Sequence, residues 1–256
     1  MSQLGGVLSD IGLAWRLLTA VPLPLIPADQ ERPPGRAAAY YALVGLVLGI
    51  GLTGAGWLLS FVFPPQLTAA VLLLAWAGFT GMLHLDGFMD ACDGLLPPRD
   101  PAQRLEIMAD SRVGAFGVVS VVLLLLLKFS GLVILITETR YLALVAVPVL
   151  ARWAMTWAMA RYPVVRAGGL AEFFRRGLGW PQLAIASTVA VIVAIGSLGV
   201  AGLILVGVTW LTTTLVASLA KVRLGGLTGD IYGAICEVTE TVLLLTLVAL
   251  INWGLA

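Results

Sequence analysis

The sequence has few charged residues: only 11% of its 256 residues are Asp, Glu, Lys or Arg, whereas 60% are apolar. A soluble globular domain carries about 25% charged and roughly 45–50% apolar residues. A single core of this size cannot bury so much apolar surface, so much of the chain must face lipid. This composition excludes a soluble enzyme. It also excludes intrinsic disorder, because disordered segments are poor in apolar residues and rich in charge.

An excess of one charge and a set of metal-binding cysteines are also missing. The formal net charge is only +1, so nothing indicates a surface that binds nucleic acid. The two cysteines, Cys92 and Cys236, lie far apart and lack the spacing of a zinc site or a disulfide framework. No basic segment precedes a long apolar run at the N-terminus, which argues against a cleaved signal peptide.

Long apolar runs are what the sequence does contain. A helix that crosses the roughly 30 Å hydrocarbon layer needs about 20 mostly apolar residues. Seven segments meet this requirement: 38–61, 66–84, 114–136, 141–160, 182–198, 200–220 and 234–253. The short Gly196–Gly199 stretch between the fifth and sixth segments predicts a tight hairpin. We therefore predict an all-α, polytopic membrane bundle over residues 38–256, within a single integral membrane domain of residues 1–256.

The N-terminal segment, residues 1–37, differs from the spans. Leu4 to Thr19 is amphipathic and contains Asp10 and Arg16. The proline-rich stretch 21–27 then prevents a continuous helix. This pattern predicts a helix that lies along the membrane surface.

The distribution of cations predicts the orientation. Lys and Arg are concentrated in alternate connections: Arg32 and Arg36, then Arg99, Arg104 and Arg112, then Arg161, Arg166, Arg175 and Arg176, and finally Lys221 and Arg223. The other connections hold one cation between them. Because connections rich in Lys and Arg stay in the cytoplasm, we predict a multi-pass protein of the inner (cytoplasmic) membrane. Its active site would be cytoplasmic and its C-terminus periplasmic.

The acidic residues are clustered, since six of the 14 fall within positions 86–110. Asp86, Asp90 and Asp93 have i, i+4, i+7 spacing, so a helix that continues from the second span would place all three on one face. Oxygen ligands on one rigid face suit Mg²⁺ or Mn²⁺, and Asp110 would complete the site. The alternative is a solvated acidic loop without metal. His84, the only histidine, is either a general base or a polar residue that ends a span at the interface.

Cationic and glycine-rich positions are candidates for binding substrate phosphate. Guanidinium groups match phosphate oxygens in a bidentate manner. Lys128 and Arg152 lie inside apolar spans, where a charge costs about 2.5–3.5 kcal/mol, so we predict that they face inward to a polar cavity. The glycine-rich turn before the last span would offer the free N–H groups of a helix N-terminus to an anion. The candidate substrate- and phosphate-binding residues are Arg104, Ser111, Arg112, Lys128, Arg152, Gly226, Thr228, Asp230 and Glu240.

The segments HLDGFMDACDG, RLEIMADSRVGAFG and GGLTGDIYGA resemble the cobalamin 5′-phosphate synthase family, the adenosylcobinamide-GDP ribazoletransferases of the inner membrane. The resemblance covers about residues 14 to 241. It implies metal-binding acids at Asp86, Asp90, Asp93 and Asp110. It also implies that adenosylcobinamide phosphate moves from adenosylcobinamide-GDP to α-ribazole or its 5′-phosphate, with release of GMP. Homo-oligomerisation and association with other enzymes of cobalamin assembly are left open.

Two other classes are considered. Asp90-Ala-Cys-Asp93-Gly94 matches the opening of the CDP-alcohol phosphotransferase pattern DxxDGxxAR…GxxxDxxxD, but Pro98 stands where that pattern has Arg, and no GxxxDxxxD follows. An ion or proton transporter would use the acids and Lys128 as a pathway. Its acids should be spread through the bilayer midplane on broken helices, whereas here they cluster at one face.

Overall fold

A computed structural model describes residues 3–23, 32–165 and 168–255 of the chain. These residues form helices, with one short bridge between Val164 and Leu227. A 3-10 helix, Pro34–Tyr40, leads directly into the second α-helix. The α-helices are α1 Gln3–Leu18, α2 Tyr41–Leu59, α3 Pro65–Phe79, α4 Leu83–Leu95, α5 Pro101–Met108, α6 Ala115–Thr137, α7 Ala143–Arg161, α8 Leu170–Arg175, α9 Trp180–Leu198, α10 Val200–Leu224 and α11 Gly229–Asn252.

The predicted all-α membrane bundle is confirmed. Within the described residues, six helical segments are long and apolar enough to cross a membrane, and a seventh is present if α3 and α4 count as one bent span. The six are Pro34–Leu59, Ala115–Thr137, Ala143–Arg161, Trp180–Leu198, Val200–Leu224 and Gly229–Asn252.

The central helix of the bundle is α7, which packs against α2, α9, α10 and α11. Its most apolar window is 89% buried, whereas that of α9 is 22% buried, so α7 is enclosed by protein and α9 faces outward. Small residues allow this close packing. A Cβ added at Gly45 of α2 would lie 2.5 Å from the Pro148 carbonyl oxygen of α7.

The predicted hairpin between the fifth and sixth spans is also confirmed. Helices α9 and α10 are separated only by Gly199, whose φ of +57° lies in the left-handed region that glycine adopts without a steric penalty. Gly202 then lies directly against the Ala194 carbonyl, so the two helices run back to back from the turn.

The prediction that the acidic helix continues from the second span is wrong. Helix α3 ends at Phe79, and α4 begins at Leu83 after a bend of 87°. Gly81 and Met82 both have positive φ, +60° and +59°, which no α-helix can accommodate. The break also gives the last carbonyl of α3 a partner outside the helix, since the Ala20 N–H donates to the Phe79 oxygen at 2.8 Å.

The N-terminal helix is present as α1 and ends at Leu18. Ala14 and Leu18 are buried, while Leu4 and Leu8 are exposed, in keeping with the amphipathic pattern. Asp10 is buried on the protein side and accepts a bidentate interaction from Arg32, with nitrogen–oxygen distances of 2.9 and 2.7 Å. Most of the proline-rich stretch predicted to follow lies outside the described residues.

Candidate active site

Helix α4 carries the acidic residues and packs between α11, α6 and α5. The predicted helical phasing is correct even though the helix is a separate one. Exposure falls along the face: Asp86 is exposed, Asp90 is half-buried and Asp93 is buried. The three carboxylates therefore lie in different environments and are suited to different roles.

Asp93 holds the start of α6. Its carboxylate accepts hydrogen bonds from the Gly114 N–H at 2.9 Å and the Gly117 N–H at 2.8 Å. Free N–H groups at a helix N-terminus favour a negative charge, and this carboxylate supplies it from a neighbouring helix. Any side chain at either glycine would collide with the Asp93 carboxylate, which accounts for both glycines.

The C-terminal end of α4, just beyond Asp93, is fixed by two arginines. Arg104 was predicted to bind phosphate, but its side chain is buried and donates from Nη1 to the Gly94 and Leu95 carbonyls, both at 2.7 Å. Arg223 of α10 also donates to the Leu95 carbonyl. The last carbonyls of a helix lack partners within the helix and attract cations, so Arg104 serves as a cap of α4.

The connection between α4 and α6 contains the short helix α5 and a polar surface loop. Asp100 is the N-cap of α5, and its side chain accepts from the Gln103 N–H at 3.0 Å. Asp110 pairs with the exposed Arg112 through contacts of 2.5 and 2.9 Å, and this pairing lowers the pKa of Asp110 to about 2. Ser111 between them is exposed. Asp110, Ser111 and Arg112 therefore form a polar surface loop.

The glycine-rich turn positions the start of α11. Gly226 is buried, and an added Cβ would lie 2.8 Å from the Pro163 oxygen, so its backbone packs against a neighbouring loop instead of facing a ligand. Thr228 is the N-cap of α11 and also donates its hydroxyl to Asp230 at 3.2 Å. The turn does open the last span, as predicted, but α11 begins at Gly229, five residues before the predicted boundary at 234.

Asp230 joins the acids of α4 because Gly87 permits close contact between α4 and α11. A Cβ added at Gly87 would lie 3.0 Å from the Asp230 Cα. Partial burial, together with the negative charges of Asp86 and Asp230, raises the pKa of Asp90 to about 6. Asp86, Asp90 and Asp230 thus form a cluster of mutually repelling carboxylates, which we call the acidic cluster.

The acidic cluster is open in this conformation. Within the described residues, no three His, Cys, Asp or Glu side chains converge closely enough to hold a metal ion. The carboxylate oxygens and their repulsion nevertheless fit a hard divalent cation. Of the predicted ligands, Asp86 and Asp90 belong to this cluster, whereas Asp93 bonds to the start of α6 and Asp110 to Arg112. Asp230 was assigned to phosphate binding, and the structure places it among the carboxylates.

Two cavities lie on either side of Asp230. One, of about 230 Å³, is bordered by α1, α2, α4, α7, α8 and α11 and includes His84, Asp86 and Tyr232. The other, of about 330 Å³, is bordered by α5, the 227–230 turn and the loop before α8. His84 does not end a span at the interface, because only 2% of it is exposed and it lies in the first turn of α4.

Lys128 and Arg152 face inward, as predicted, but they contact acids instead of lining a cavity. Lys128 Nζ lies 2.5 Å from a carboxylate oxygen of Glu237 and 2.5 Å from one of Glu240. Arg152 pairs with Glu240, which also accepts from Trp76 Nε1 at 3.2 Å. Two buried cations and two buried acids therefore form a neutral network inside the bundle. Three candidate phosphate-binding residues are therefore engaged in ion pairs with one another: Lys128 and Arg152 both pair with Glu240.

The fold and the site together define a polytopic membrane protein with an acidic site where its last span begins. A family model described as Cobalamin-5-phosphate synthase matches residues 10–248. The chain belongs to that family. It is therefore an enzyme, a membrane transferase of cobalamin biosynthesis. This assignment replaces the phospholipid-synthesis and transporter interpretations.

Curated relatives agree over nearly the whole chain. The chain is 38% identical over 242 residues to an adenosylcobinamide-GDP ribazoletransferase from Roseiflexus sp. (strain RS-1), covering 94% of this chain and 90% of the relative. It is 42% identical over 224 residues to the protein of that name from Thermosynechococcus vestitus, covering 87% and 89%. A third, from Geotalea daltonii, is 36% identical over 238 residues, covering 93% and 96%. No solved structure matches the chain.

Proposed function

We propose that this enzyme transfers adenosylcobinamide phosphate from adenosylcobinamide-GDP to α-ribazole or its 5′-phosphate, releasing GMP. The acceptor hydroxyl oxygen forms a bond to phosphorus, the bond from phosphorus to the GMP oxygen breaks, and the hydroxyl loses its proton. The observation that carries the proposal is the acidic cluster at the contact of α4 with α11. It lies in a chain whose relatives carry the name of this activity over most of their length.

The acidic cluster would hold Mg²⁺ or Mn²⁺, with Asp86, Asp90 and Asp230 as ligands. Carboxylates are the ligands these ions favour, and a cation would offset the burial and the repulsion that together raise the pKa of Asp90. When bound, the ion would neutralise the diphosphate and stabilise charge that develops on the leaving GMP. Asp93 would act indirectly, because it would hold the start of α6 beside the cluster and would not bind the ion.

Of the candidate arginines Arg104, Arg112 and Arg152, Arg112 is the one whose guanidinium is exposed and accessible to a substrate phosphate. It is exposed and paired with Asp110, whereas Arg104 is buried against backbone carbonyls. Exposed ion pairs are weak, so exchanging the Asp110 carboxylate for a phosphate costs little. A bidentate contact would orient the phosphate in line with the acceptor hydroxyl, so that positioning supplies a large part of the rate.

The test is an assay of the purified protein in lipid nanodiscs, with adenosylcobinamide-GDP and α-ribazole as substrates. We expect GMP release that depends on α-ribazole, stops with EDTA and returns with Mg²⁺ or Mn²⁺. CDP-diacylglycerol is the competing donor. Release of CMP from it, without GMP release from adenosylcobinamide-GDP, would contradict the proposed reaction. Full turnover in EDTA would contradict the metal requirement and leave the proposed reaction intact.

The acidic cluster would face the cytoplasm, because the cation-rich connections share its side of the bundle. Single cysteines at the exposed Ser111, Lys221 and Gln66 test this in a protein with Cys92 and Cys236 replaced by Ser. Impermeant maleimide should label residues 111 and 221 only from the cytoplasmic side and residue 66 only from the periplasmic side. The reverse pattern would overturn the orientation, including the periplasmic C-terminus.

A further inference from the structure

The 230 Å³ cavity beside the acidic cluster has a mixed lining that sets limits on its occupant. Its walls are largely apolar and include Leu18, Met155 and Met159. Such walls disfavour a phosphate or any other charged group, because they offer no compensating partners. Pockets for drug-sized ligands span roughly 300–1,000 Å³, so this cavity suits a smaller ring and not a corrin.

The cavity lining includes two buried polar side chains, those of His84 and Tyr232. Neither ring nitrogen of His84 nor the hydroxyl of Tyr232 has a hydrogen-bond partner among residues 3–23, 32–165 and 168–255. His84 is 2% exposed and Tyr232 is 6% exposed. Buried polar groups are nearly always hydrogen-bonded, so two unpaired groups in one cavity indicate a ligand that supplies their partners.

The position of the cavity connects it to the chemistry. Asp86 and Asp230 of the acidic cluster border the same cavity. A ring held there would present its attached group directly to the cluster. An apolar cavity with a few convergent polar groups is the usual form of a small-molecule site.

We propose that this cavity binds the aromatic base of the acceptor nucleoside, with its ribose directed to the acidic cluster. This inference rests on the proposed function. His84 and Tyr232 hydrogen-bond to polar atoms of the nucleoside, one to the free ring nitrogen of the base and the other to a ribose hydroxyl. Met155 and Met159 pack against the ring of the base, since methionine sulfur contacts aromatic rings favourably. His84 is thereby a binding residue and not a general base, which was one of the two roles that the sequence left open for it.

The test compares Michaelis constants for the two substrates of the nanodisc-embedded enzyme. Tyr232→Phe and His84→Ala should each raise KM for α-ribazole by roughly tenfold, the effect of losing a buried hydrogen bond. KM for adenosylcobinamide-GDP should stay unchanged, and kcat at saturating α-ribazole should stay within about threefold. Tyr162→Phe is the matched control, because the Tyr162 hydroxyl lies 3.4 Å from Ser218, outside the cavity.

Direct titration with α-ribazole, without donor substrate, gives a second measurement. It reports binding separately from turnover, so the inference can still be tested if one of the kinetic variants folds poorly. Met159→Trp, which fills the cavity, should abolish binding that the Tyr162→Phe variant retains. Wild-type KM values in both Tyr232→Phe and His84→Ala would overturn the inference and leave the proposed function intact. A fall in kcat of His84→Ala with an unchanged KM for α-ribazole would also overturn the inference and leave the proposed function intact. A wild-type enzyme that neither binds α-ribazole nor releases GMP would overturn both.

Discussion

Gly87 of α4 and Asp230 of α11 touch through their backbones, and this contact brings the acids of two distant segments together. A Cβ at residue 87 would lie 3.0 Å from the Asp230 Cα and 3.1 Å from its carbonyl oxygen. Any side chain larger than hydrogen must therefore push α4 away from α11. Gly87 therefore controls the distance between Asp230 and the two α4 carboxylates of the acidic cluster, Asp86 and Asp90.

Gly87→Ala should lower turnover by roughly tenfold, and Gly87→Leu by about 10² or more, because small displacements at a reacting centre are costly. Gly54→Ala in α2 is the matched control, since no atom of the described part of the chain lies within 4 Å of a Cβ added there. It should retain full activity and gain up to about 1 kcal/mol of helix propensity. Steady-state rates of purified variants measure the effect. Equal activity of the Gly54 and Gly87 alanine variants would rule out a functional role for this contact.

The loss of activity on replacing each acid should depend on the environment of its carboxylate. Asp86→Asn and Asp90→Asn should each lose about 10²-fold or more in kcat, since each removes a proposed metal ligand. Asp93→Ala should lose activity together with thermal stability, because the start of α6 loses both acceptors. Asp100→Ala should stay within a few-fold of the parent, with a cost of about 1 kcal/mol from a lost helix cap. An Asp100 variant as inactive as the others would refute this ranking.

Stability should depend on pH through Asp90. Its pKa is about 6 in the folded protein, against about 4 in an unfolded chain, so the folded state binds more protons between these values. The contribution of Asp90 to stability therefore falls as pH rises through this range. Metal-free protein should lose less thermal stability between about pH 5 and pH 7.5 when it carries Asp90→Asn. A pH dependence identical to wild type would contradict the raised pKa that burial and repulsion give Asp90 in the acidic cluster.

The buried network should be needed for folding, not for phosphate binding. Lys128→Met or Glu237→Leu alone leaves an uncompensated buried charge and should cost about 3–5 kcal/mol. The double variant keeps Arg152 paired with Glu240 and should recover most of that loss. Thermal unfolding in nanodiscs measures the coupling. Additive losses in the double variant, or a KM effect of Lys128→Met without loss of stability, would favour the original phosphate-binding interpretation.

Much of this architecture could be predicted from local patterns. Apolar runs located the spans, and helical spacing placed Asp86, Asp90 and Asp93 on one face. The bend between α3 and α4 could not be predicted, because Met82 adopts a left-handed conformation that is rare for a residue with a side chain. The acidic helix is therefore a separate element and not the end of a span.

The partners of the charged residues also could not be predicted from the sequence. Arg104 and Arg112 have the same chemistry, yet one is buried on backbone carbonyls and the other lies on the surface. Lys128 and Glu237 are 109 positions apart, and no spacing rule connects residues at that separation. Tyr232 was missed because a tyrosine in an apolar span is ordinary, and only its unpaired hydroxyl marks it.

Direct titration with Mn²⁺, followed by electron paramagnetic resonance, tests the central claim that α4 and α11 jointly hold the metal. We expect wild-type protein to bind Mn²⁺ and Mg²⁺ to displace it. Asp86→Asn and Asp230→Asn should each weaken binding by about tenfold or more, because each removes a charged oxygen ligand. Asp100→Asn should bind as wild type does. Unchanged affinity in Asp230→Asn would contradict the shared site, and no Mn²⁺ binding to the wild-type protein would contradict a metal site altogether.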